Sequence, residues 1–114
     1  MARLKGKLFK EKIIRTIVFT NGAEDDLNKI GEWYGVIRKG LKEDFLLSVE
    51  VEVEIIRRAP LIYKEYCLNI RKSIISKFPY GLYYILESEQ IIVLAIIHQK
   101  RGKRAIKKKI KQGN

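Results

Sequence analysis

Seven consecutive apolar residues, Ile91-Ile92-Val93-Leu94-Ala95-Ile96-Ile97, constrain most strongly what this chain can fold into. A strand with one wet face alternates apolar and polar residues, so an unbroken run implies cover on both faces and a place in the middle of a sheet. The stretch before it, Phe78-Pro79-Tyr80-Gly81-Leu82-Tyr83-Tyr84-Ile85-Leu86, is aromatic and β-branched, and the polar turn Glu87-Ser88-Glu89-Gln90 joins the two. Pro79 stands at the start, where a missing N–H costs the ladder least. After Ile97 the chain turns at once to His98-Gln99-Lys100-Arg101. A core strand that delivers this cluster to a sheet edge makes a candidate anion or nucleic-acid site. A strand simply leaving the core into solvent leaves the same pattern.

The rest of the chain supplies partners for that hairpin. Ile13 to Thr20 has the composition of a first strand, broken by Asn21-Gly22, and Ala23-Glu24-Asp25-Asp26 places acids where a helix N-terminus favours them. Leu27, Ile30, Tyr34 and Ile37 recur at helical spacing, and Gly40 closes that element. Leu41 to Ala59 forms a second helix with Leu41, Phe45, Val49, Val53 and Ile56 on one face, ended by Pro60. Ser48 to Ile55 alternates like a strand, but the helical stripe runs straight through it and decides for helix. Tyr63 to Asn69 is a connection and Ile70 to Ser76 a second strand. The expected fold is α+β in the order β-α-α-β-β-β, with a helix hairpin packed on one face of a small, mainly antiparallel four-stranded sheet. Residues 1–114 form one domain on this reading, with a basic leader over 1–11 and a basic tail over 102–114.

Charge is concentrated at the ends. Of the formal +11, residues 1–15 carry +5 and residues 99–114 carry +8, which leaves the middle at −2. Basic ends are commonly solvated, yet a tail of this density attracts RNA, DNA or an acidic protein. The tail is read as a steering arm, with a short helix as the alternative because Ile106 and Ile110 stand four apart. The single cysteine, Cys67, excludes an internal disulfide and suits a reducing cytoplasm. No apolar run reaches the roughly 18–20 residues that span a bilayer. Gly-rich phosphate loops, Ser-His-Asp sets and metal-ligand spacings are missing, so no cofactor or metal is expected and conventional hydrolase or kinase chemistry is unsupported.

Taken in order, these segments resemble the RelE/ParE superfamily of toxins from type II toxin–antitoxin modules, most nearly the ParE-like plasmid-stabilisation branch. The resemblance is carried by Ala23-Glu24-Asp25-Asp26-Leu27 with Ile30, by Trp33-Tyr34, Gly40-Leu41, Phe45-Leu46 and Ala59-Pro60. It continues through Ile70-Arg71-Lys72, Phe78-Pro79-Tyr80, Tyr83-Tyr84 and Ile96-Ile97-His98 to Arg101. Single motifs are weak; their order and spacing over about residues 13–101 are specific. The resemblance implies a cytoplasmic toxin held inactive by a cognate antitoxin.

It leaves two targets open. ParE-like members poison DNA gyrase, whereas RelE-like members cut mRNA on the ribosome. Metal-free RNA cleavage needs an acid, a base and cations on the phosphorane. Under that alternative His98, Arg101 and Arg71 are the candidate catalytic residues. Against it, Gly81 stands where RelE-like nucleases carry an arginine, and about Lys107 where they carry a tyrosine. For binding a target or nucleic acid, the candidates are Lys72, Lys77, Lys100, Arg101, Lys103 and Arg104. A third possibility is a basic nucleic-acid-binding module without toxicity. The aromatics Trp33, Tyr34, Tyr80, Tyr83 and Tyr84 are read first as packing groups rather than base-stacking platforms, and Arg57 and Arg58 as helix C-terminal charges.

Overall fold

A computed structural model describes residues 15–101 and 103–113. The leader, the expected strand start at Ile13, and the side chains of Lys103 and residues 110–113 lie outside the described residues. The elements are β1 (Thr16–Phe19), α1 (Asn21–Ile37), α2 (Leu41–Arg58), β2 (Glu65–Cys67), β3 (Ile70–Ile74), β4 (Tyr80–Glu87), β5 (Gln90–His98) and α3 (Lys103–Gly113). The sheet order is β1-β5-β4-β3-β2, with β1 parallel to β5 and the other pairs antiparallel. The α+β class and the helix hairpin on one face are as expected. Among the described residues the sheet has five strands rather than four, because the stretch read as a connection forms the short edge strand β2, paired to β3 through an irregular register.

The expected break at Asn21-Gly22 is instead a helix start. Thr20 extends from β1 and its Oγ1 accepts from the Ala23 N–H at 3.1 Å, so strand passes to helix through one cap residue. Gly40, at φ 88°, turns α1 into α2 in a conformation that strains any residue with a Cβ. The alternating segment 48–55 is helical: Phe45, Val49, Glu52 and Ile56 point inward, while Val51 and Ile55 stay exposed. Glu52 is buried because the Tyr63 hydroxyl donates to its Oε2 at 2.5 Å.

β5 is covered on both faces, as its composition demands. On the hairpin side Ile91, Val93 and Ile96 join the core with Leu82, Tyr84 and the packed rings of Tyr34, Phe45 and Phe78. On the other side Ala95 and Ile97 meet Ile70, Tyr83 and Ile106. A bulge makes this division possible. Tyr83 pairs with Ala95 but Tyr84 with Val93, so Leu94 is the extra residue. Simple alternation would send Ala95 and Ile97 to the face of Ile91 and Val93. The extra residue moves them to the opposite face.

The cover on that second face is α3, which corrects the reading of residues 102–114 as a solvated steering arm. Ile106 is 0% exposed and belongs to the second core cluster. Truncating a fully buried isoleucine to alanine typically costs about 2–5 kcal/mol. Ile106→Ala is therefore expected to lower the urea midpoint clearly, and Lys107→Ala, on the exposed side, to leave it nearly unchanged.

Alkaline pH probes the same core. Burial, as the leading cause, pushes the Tyr83 and Tyr84 hydroxyls up to about 12, and burial with the Glu52 hydrogen bond does the same for Tyr63. Each raised pKa contributes stability that is complete below the unfolded value near 10 and is lost as pH rises through about 12. Urea midpoints should hold up to about pH 10 and fall between about 10 and 12. Tyr83→Phe should make that fall shallower.

Candidate functional site

The polar cluster at the end of the apolar run lies where β5 leaves the sheet. His98 pairs with Tyr80 across the β4–β5 ladder, and their rings meet edge-on with centroids 5.2 Å apart. The Lys100 N–H donates to His98 Nδ1 at 3.1 Å, and the Arg101 N–H donates to the His98 carbonyl at 3.0 Å. The strand end thus closes as a tight turn that leaves Lys100 and Arg101 exposed and starts α3 two residues later. An imidazole accepting at Nδ1 carries its proton on Nε2 when neutral.

The three residues considered for RNA cleavage are not brought together. Arg71 pairs with Tyr84 on β3, whereas His98 pairs with Tyr80 on β5. Four residues along β4 and two strand spacings separate them by about 16 Å. Arg71 is also committed: it donates to the Tyr63 carbonyl at 2.6 Å and sits 3.8 Å from Glu65. Its work is to hold the α2–β2 connection. Only Arg101 stays near His98.

The candidate binding residues divide among three places. Lys72 lies on the face opposite the hairpin, its Nζ 5.0 Å from the Tyr66 ring centroid and 5.7 Å from that of Tyr83. Its stem crosses Gly81, where a Cβ would come within 3.0 Å of Lys72 Cε. The position at which RelE-like nucleases carry an arginine is therefore filled over by Lys72. Lys77 occupies the β3–β4 turn at φ 72° and lines a cavity of about 360 Å³ with Arg38 and Asp44. Lys100, Arg101 and Arg104 gather at the junction of β5 and α3, all exposed; the Lys103 side chain is outside the described residues. Arg57 and Arg58 both pair with Glu54 on their own helix. Among the described residues no group of three His, Cys, Asp or Glu could hold a metal ion, and no helix is long and apolar enough to cross a membrane.

Two further surfaces emerge from the packing. An apolar cavity of about 470 Å³ opens between β1, α1 and α2, walled by Phe19, Leu27, Leu46 and Val53 with Glu43 and Glu50 at its edge. A second, polar cavity of about 220 Å³ lies beside the end of β5, lined by Asp26, Arg101, Lys108 and Lys109 among others. Asp26 is its organising group. Beyond the end of β1, the outer edge of β5 has no strand partner among the described residues, and the Asp26 Oδ2 accepts from the Ile96 N–H at 3.0 Å. The Oδ1 meets Lys109 Nζ of α3 at 2.7 Å.

A model of the family described as the ParE toxin of type II toxin–antitoxin system, parDE, matches residues 17–102. The chain belongs to this family of toxins. In fold it is similar to a solved chain of the chromosomal ParDE TA system from P. aeruginosa, with a TM-score of 0.55 and 19% identity over 75% of this chain and 96% of that one. No curated protein matches.

Sequence reasoning placed Asp26 at a helix start and Lys108 and Lys109 in a tail; no local signal joins residues so far apart. Asp26→Ala would leave a part-buried N–H and an ammonium without their partner, each loss costing about 1–3 kcal/mol. The variant is expected to melt well below the parent, and Asp25→Ala, which loses only an exposed i,i+4 pair, to match it.

Proposed function

We propose that this toxin acts by inhibiting DNA gyrase in the cytoplasm and is neutralised by a cognate antitoxin. The observation that carries the reading is the dispersal of the groups that metal-free RNA cleavage requires. Arg71 is bound to the Tyr63 carbonyl at 2.6 Å and stands two strands away from His98. Membership of the ParE toxin family supports the same target. His98, held by the Lys100 N–H and stacked edge-on against Tyr80, then serves to close the end of β5 rather than to move a proton.

For the antitoxin, the apolar cavity between β1 and the helix hairpin is the favoured seat. It suits the apolar face of an amphipathic segment, and acidic residues elsewhere in the antitoxin would meet the basic C-terminal region. The charges at the cavity edge, Glu43 and Glu50, call for basic flanks on the seated segment itself. Ribosome-dependent mRNA cleavage by His98, Arg101 and Arg71 is the competing reading.

Supercoiling by purified gyrase tests the proposal. The toxin should stop supercoiling, and toxin copurified with the product of the neighbouring reading frame should not. His98→Ala should keep the inhibition within a few-fold. General acid–base catalysis is worth about 10²–10⁴, so a loss of that size in mRNA cleavage on translating ribosomes, with supercoiling untouched by the parent toxin, would replace gyrase by the ribosome.

A further inference from the structure

We propose that the cavity between the end of β5 and α3 is a seat for a backbone phosphate of nucleic acid. Three cations, Arg101, Lys108 and Lys109, face it against one acid, Asp26. The acid does not repel an anion as a free carboxylate would. One of its oxygens is taken by the Ile96 N–H and the other by Lys109. That pairing also fixes Lys109, which lies across the first turn of α1 with its Cε 3.3 Å from where a Cβ on Gly22 would stand. Arg101 and Lys108 are exposed and have no side-chain partner among the described residues. The site therefore holds one anchored positive charge and two uncommitted ones.

Chemistry and size both favour phosphate. A guanidinium offers a planar fork to two oxygens of a tetrahedral anion, and an ammonium adds a point charge from another side. A volume of about 220 Å³ has room for the anion with some of its water, since one water occupies about 30 Å³ of liquid. A lone phosphate would use only the cavity. The positive surface continues along α3 through the exposed Arg104 and Lys107, with Arg104 one turn from Lys108, as a chain of phosphates would require. Nothing in this depends on gyrase being the target.

Salt-dependent binding of the full-length protein to a short DNA duplex tests the site. Each phosphate contact contributes about 0.9 to the slope of log K against log salt on B-form DNA. The variant carrying both Arg101→Gln and Lys108→Gln should lose about 1.8 from that slope. Between about 50 and 200 mM salt its affinity should then fall about 12-fold less than the parent's. Lys64→Gln, exposed at the far side of the sheet, should lose nothing comparable. Asp26→Asn retains an acceptor for the Ile96 N–H and removes the opposing charge, so the duplex should bind more tightly even if that variant melts earlier. Inorganic phosphate should perturb the amide signals of Arg101 and Lys108 but bind more weakly than the duplex. An unchanged slope in the double variant, or a duplex no tighter than inorganic phosphate, would overturn the proposal. So would competition by polyglutamate as effective as that by unlabelled duplex.

Discussion

The structure turns on the outer edge of β5 beyond the point where β1 stops. β1 accompanies β5 only as far as Val93, and backbone groups past that point would be orphaned in a partly buried place. Thr20 and Asp26 take them up. The Thr20 N–H donates to the Val93 carbonyl at 3.0 Å and its hydroxyl to the Leu94 carbonyl at 3.3 Å, while Asp26 receives the Ile96 N–H. Because Thr20 also caps α1, the same residues that finish the sheet orient the helix hairpin. Because Asp26 also binds Lys109, they fasten the helix on the opposite face. One open edge is thus closed by groups from the hairpin side, and Lys109 ties the opposite layer to them.

The bulge at Leu94 makes this closure compatible with a packed interior. It turns Ile96 toward the hairpin and Ala95 and Ile97 toward α3, so each side of β5 receives its own apolar set. The strand then ends with His98 against Tyr80, at the rim of the aromatic cluster built on Tyr34, Phe45 and Phe78. The residues past His98 are forced outward. Lys100 and Arg101, with Arg104, Lys107 and Lys108 of α3, hold their positive charge in solvent.

Much of the fold was legible in the sequence, for reasons that particular residues make plain. The run Ile91–Ile97 has no polar position, which identifies a doubly covered strand. The stripe Phe45, Val49, Ile56 persists through an alternating segment, which identifies α2 as a helix. β2 was not legible, since three residues carry no periodicity and its pairing is set by β3. The docking of α3 was half legible: Ile106 was seen, but a helix in which six of eleven residues are lysine or arginine gives no sign of where its few apolar groups go. For the site, His98 and Arg101 were found by proximity in sequence. Arg71 was misleading there, because its engagement with the Tyr63 carbonyl depends on the path of the α2–β2 connection. The Asp26–Lys109 pair joins residues 83 positions apart and exists only once the sheet has formed.

The parallel pairing of β1 with β5 has a kinetic consequence. β3, β4 and β5 are successive antiparallel neighbours joined by short turns, so they can form from local contacts, whereas Thr16 meets Gln90 only after the intervening chain has closed. Closure of long loops slows folding more than it weakens the final state. The β3–β5 meander should therefore assemble as an early unit, and β1 should add to it late. With four residues and one strand neighbour among the described residues, β1 also detaches more readily from the native state than the long strands β4 and β5. Amide hydrogens of β1 should then exchange ahead of those in β4 and β5, which makes the chain's first described strand the last to be secured.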